Sequence, residues 1–145
     1  MRREKYFAVL ASFLVLATFA RAGVPELGSE EIPKVIVSGL DAYKADGPEA
    51  AIKTWLKGSP VEGSKEALSQ ANILRQIQDF YGAYKGFHLV QSRNIGPTSR
   101  ILYLVLDYEK GPVFFKFEVF RTEQAWILTS FTLNTHPEQI LPDCR

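Results

Sequence analysis

RILYLVLDYEKGPVFFKFEVFRTEQAWILTSFTLN, residues 100–134, alternates between a strongly apolar row and a mixed row in three successive segments. A period of two belongs to strands that bury one face. The joints Lys110-Gly111-Pro112 and Glu123-Gln124 carry turn residues, so 100–109, 113–122 and 125–134 are predicted to be neighbouring antiparallel strands. With Lys110-Gly111 and Glu123-Gln124 as two-residue loops, an inner face gathers Leu102, Leu104, Leu106, Tyr108, Val113, Phe115, Phe117, Val119, Trp126 and Leu128. Its polar members are Ser130, Thr132 and Asn134. The outer face gathers Ile101, Tyr103, Val105, Asp107, Phe114, Lys116, Glu118, Phe120, Ile127, Thr129, Phe131 and Leu133. A slip of one residue would scramble both faces, so the clean division supports the register.

Upstream, 87–93 reads as a fourth strand, joined to the next by Asn94, Gly96 and Pro97. Before it the period is helical. Val35, Ile36, Leu40 and Tyr43 predict a helix over 35–45. Ala51, Ile52, Trp55 and Leu56 predict a second over 48–57, opened by Pro48. Leu68, Ala71, Leu74, Ile77, Phe80, Tyr81 and Tyr84 predict a third over 64–84, which Gly86 closes. The fold class is therefore α+β, with three helices packed on a curved four-stranded antiparallel meander.

The first 22 residues have the pattern of an export signal. Arg2, Arg3 and Lys5 precede an uncharged run from 6 to 20, and Ala20-Arg21-Ala22 is a small-x-small cleavage site. The run is short for a membrane span, which needs about 20 residues. Cleavage after Ala22 leaves 123 of the 145 residues, one domain by size. The signal carries four of the 17 bases and one of the 16 acids, so the remainder nets −2. Dispersed, nearly neutral charge argues against nucleic acid as a partner. The expected division is signal 1–22, flexible leader 23–32, domain 33–135 and tail 136–145, in a periplasmic or secreted protein with no stable membrane anchor once the signal is removed. Cys144 is the single cysteine, so no disulfide forms within the chain, and the domain rests on packing.

The helices over 35–45, 48–57 (with Trp55) and 64–84, followed by the strands from 87 to 134, resemble the NTF2-like superfamily in element order and patterning. The likeness covers about 33–135. The superfamily includes steroid isomerases, dehydratases, transport factors and many small exported proteins. The resemblance implies a curved sheet wrapped around a helix into a cone, a pocket at its wide end, and frequent dimers. It implies no particular activity, because function lives in the site.

Carboxylate chemistry would need an acid pointing inward. The register puts Asp107 and Glu118 outside, leaving Asp79 on the long helix as the one acid able to turn in. His88 and His136 are the only histidines. With Cys144 they make no zinc pattern, and no phosphate loop, nucleophile elbow or cofactor motif is present. The expectation is non-catalytic binding of a small apolar ligand or peptide in the cone, with Tyr108, Phe115, Phe117, Trp126, Thr132 and Asn134 as candidate contacts. A lyase or isomerase using Asp79 or His88 with a tyrosine is one alternative. An assembly module with a filled cone is the other. The outer face is too apolar for ordinary solvent surface. Either the tail covers part of it or a second copy does, and a homodimer through Tyr103, Phe114, Phe120, Ile127 and Phe131 is favoured.

Overall fold

The structure, a computed structural model, describes residues 32–142. The signal segment, the leader up to residue 31 and Cys144 lie outside the described residues. Three helices precede four strands. Helix α1 spans Lys34–Asp46 and buries Ile36, Gly39, Leu40 and Tyr43, spaced three and four apart as one helix face requires. Gly47 ends it. At φ 89° its backbone lies in the region that favours glycine, and its N–H donates to the Tyr43 carbonyl at 3.1 Å. Pro48 then opens α2, Pro48–Trp55.

Where α1 and α2 meet, Gly39 faces the indole of Trp55, and a Cβ at residue 39 would fall within the ring. The missing side chain lets Trp55 bury completely. Its Nε1 then donates to the Ile36 carbonyl at 3.0 Å, which satisfies the one polar atom taken out of water.

Helix α3, Lys65–Tyr81, starts at Ser64, whose hydroxyl accepts from the Ala67 N–H at 3.2 Å. The Glu66 carboxyl in its first turn is held below the usual carboxylate range, first by its own backbone N–H and then by Ser64. The helix stops three residues before the expected end. Tyr84 belongs instead to the first strand, where it pairs with Tyr108 and stacks on Tyr43 with ring centroids 5.1 Å apart. Strand pairing and stacking outweigh the helical spacing of Tyr84 from Tyr81.

The strands β1 (Tyr84–Asn94), β2 (Ser99–Tyr108), β3 (Gly111–Arg121) and β4 (Trp126–Asn134) form one open antiparallel sheet in chain order. In the β2–β3 hairpin Tyr108 pairs with Gly111, so the loop is Glu109-Lys110, one residue earlier than expected. Val113 thus faces Leu106 where Tyr108 was expected, a shift of two that leaves every residue on its face. The β3–β4 hairpin follows the expected register from Arg121–Trp126 to Val119–Leu128.

The register then breaks. Glu118 pairs with Ser130, leaving Thr129 as an extra residue in β4. Its hydroxyl donates to the Glu118 carbonyl at 3.0 Å. Beyond this bulge the faces exchange. Phe131 and Leu133 pair with Phe117 and Phe115 and point inward, while Ser130, Thr132 and Asn134 go outward. Phe131 packs on Trp55 and Phe117, only 7% exposed. The bulge puts a large apolar ring in the core and three polar side chains in the outer row, which the regular register would have reversed.

The helices cover the inner face, with α1 reaching both edge strands, β1 and β4. Leu102, Leu104, Leu106, Val113, Phe115 and Phe117 are fully buried beneath them. On the outer face the chain turns after β4 through a short 3-10 turn, Pro137–Gln139. Ile140 and Leu141 then bury against Tyr103, with Ile101 and Phe114 beside them. The tail thus straps the centre of the face that the expected dimer would use.

Candidate functional site

The interior behind the sheet is packed with side chains. Phe115 and Phe117 stack at 5.6 Å between centroids, and Phe131 closes against both. Tyr108 donates its hydroxyl to that of Tyr43 at 3.1 Å, and Tyr43 donates onward to the Leu74 carbonyl at 3.3 Å. Burial pushes both phenols above the usual tyrosine range. For Tyr108 the neighbouring Tyr43 adds to the effect, whereas for Tyr43 the hydrogen bond from Tyr108 opposes it. Tyr84 is pushed up by burial, then by the charges of Asp41 and Asp107. The Tyr43 and Tyr108 hydroxyls are neutral groups with satisfied partners.

The six candidate contacts are therefore scattered. Tyr108, Phe115 and Phe117 are core packing. Thr132 is exposed on the outer side, and Asn134 uses its side-chain oxygen to accept from the His136 N–H at 2.9 Å. Trp126 alone borders an open space. Of the candidate interface residues, Phe131 is core, and Tyr103 and Phe114 lie under the strap. Phe120 is 41% exposed and Ile127 half-buried. Asp79 is exposed on α3. His88 sits on the outer face, 2.8 Å from Asp107, with both side chains open to water. Neither acid–base candidate borders a water-excluded cleft.

The open space is a cleft of about 590 Å³ between the start of α1 and the far end of the sheet. Ile32, Pro33 and Val35 form one wall, Ala125 and Trp126 the other. Among the described residues, Lys34, Ser38, Arg100 and Gln124 supply the polar lining. The sheet's alternation explains how this end is built. Two residues before Leu102 the inner row of β2 reaches Arg100, and two after Val119 the inner row of β3 reaches Arg121. Arg121 pairs with Trp126. The aliphatic rows thus run out into two guanidinium groups flanking one indole. Arg100 lies 5.0 Å and Arg121 6.0 Å from the ring centroid, within the range of cation–π attraction. Asn94, next to Arg100 across the β1–β2 pairing, accepts from its Nε at 2.9 Å and fixes the guanidinium.

Arg100, Arg121 and Lys34 are the site residues that the sequence reading missed. The signal was available, since extending the inner row by two positions at its open end reaches both arginines. No family model, no curated protein and no solved structure matches the chain.

Proposed function

We propose that this is an exported, non-catalytic binding domain on an NTF2-like plan, and that it takes a small, partly apolar ligand in the Trp126 cleft at the open end of the sheet. One observation carries the reading: a cleft of ligand size, about 590 Å³, has an aromatic floor, apolar walls and a few polar groups. The resemblance implies a pocket at the wide end of a cone, and the cleft's place at one end of the sheet agrees with it. The packed interior favours a site at the mouth over one deep among Phe115 and Phe117. Binding without chemistry is supported by the exposure of Asp79 and His88.

Native mass spectrometry of residues 23–145, purified gently from the exported fraction, tests this. The expected spectrum contains a bound small-molecule mass that disappears in Trp126→Ala. A spectrum of apo protein alone, unchanged by that substitution, would sink ligand capture and leave the assembly reading, in which the domain works through its surface.

A further inference from the structure

Going beyond ligand capture, we infer that the chain's own leader, residues 23–31, folds back from Ile32 and occupies the Trp126 cleft. The first argument is where the leader ends. Ile32 is part of the cleft wall and packs against the inner core, as Val35 and Trp126 do. The residues before it are thus anchored at the cleft itself, and a segment tethered beside its site meets it at high effective concentration. Five residues span at most about 17 Å, so Leu27 is within reach of the Trp126 wall, with Gly28 and Ser29 between them as turn residues. The second argument is charge. Residues 23–31 contain Glu26, Glu30 and Glu31 and no base. Lys34 and Arg100 lie in the cleft lining, and Arg121 stands 6.0 Å from the centre of the same indole. Glu123, in the turn before Gln124, offsets one of these charges, and the rim formed by the described residues stays cationic. Lys34 and Arg121 are exposed, so each pairing with a leader carboxylate is weak and the tether is what makes it count. Apolar contact adds to it, since Val24 and Leu27 bring aliphatic side chains to walls made of Val35, Ala125 and Trp126. The cleft is then closed to other molecules until the leader leaves it.

Nuclear Overhauser spectra of residues 23–145 test this. The chain contains two tryptophans, and Trp55 is the control for the fold, because it is fully buried with its indole N–H bonded to Ile36. Contacts are expected between the Leu27 methyls and the Trp126 ring. Glu26→Gln, Glu30→Gln and Glu31→Gln together should weaken them about threefold and move the Trp126 indole signal, while that of Trp55 stays in place. Lys34→Glu with Arg121→Glu should do the same, and Glu26→Lys, Glu30→Lys and Glu31→Lys in that background should restore the contacts. Absence of any Leu27–Trp126 contact, with the Trp126 signal identical in the parent and the triple Gln chain, would overturn the inference and leave the cleft open. A contact that forms only between differently labelled copies would assign the leader to a neighbouring molecule and overturn the fold-back. Neither result needs a ligand, so ligand capture stands or falls on its own mass spectrum.

Discussion

Four tyrosines meet near the start of β1, where Tyr43, Tyr81 and Tyr84 surround Tyr108. Tyr43, Tyr84 and Tyr108 are all raised above their ordinary value of 10.0. The folded state therefore keeps the phenols neutral at a pH where the unfolded chain has begun to release their protons. Their contribution to stability is whole below about pH 10 and is lost as pH rises from there toward the folded values. Thermal melts should stay flat from neutral pH to about pH 9 and fall steeply above pH 10, with phenolate absorbance appearing together with unfolding. Tyr108→Phe should flatten that alkaline fall and cost about 1 kcal/mol at neutral pH, since Tyr43 loses its incoming hydrogen bond. A melt insensitive to pH up to about 11 would contradict the burial argument. The partner of Tyr108 was not legible in the sequence. A polar tip on an apolar row announces that it needs one, but Tyr43 lies 65 residues away, and no local pattern links them. Trp126 was placed on the inner face by alternation alone. Arg100 and Arg121 obey the same alternation, but a charge at the end of an apolar row reads equally well as the row's end.

At the scale of elements, the Thr129 bulge separates the predicted strand from the observed one. Alternation over 113–120 and 126–128 was correct, and the division between helical and strand halves followed from the change of period alone. The break at Thr129 leaves no mark in local composition, because Thr129, Ser130 and Thr132 suit either face of a strand. Only the competition for the core decides, and Phe131 wins it by packing on Trp55 and Phe117. The bulge therefore makes an unusual prediction. Deleting Thr129 removes the extra residue and leaves Leu128 and Phe131 both pointing inward. The shortened chain should fold, with a loss below about 2 kcal/mol. Deleting Lys116 from β3 instead puts Val113 and Phe115 out of phase with Phe117 and Val119, and should abolish cooperative unfolding. Chemical denaturation of the two deletions checks this, and equal tolerance of both would show that the register is not set by these pairings.

Across the whole molecule, one sheet serves two unequal cores. The inner one runs under three helices. The outer one consists of Tyr103, Ile140 and Leu141, with Ile101 and Phe114 at its margin. The sequence posed the choice between a tail and a second copy as cover for this face, and the strap supplies the tail. A chain ending at Thr135 should expose Tyr103 and Phe114 and self-associate at micromolar concentration, whereas the full chain should remain monomeric in sedimentation. Full-length dimers that persist on dilution would instead assign the face to a partner copy. The strap also sets an order in time. A chain synthesised from its N-terminus delivers α1, α2, α3 and all four strands before it delivers Ile140 and Leu141. Until those two residues arrive the outer face of the sheet lacks its cover, so the moment of greatest danger for this protein falls near the end of its synthesis, when a holding chaperone would have most to protect.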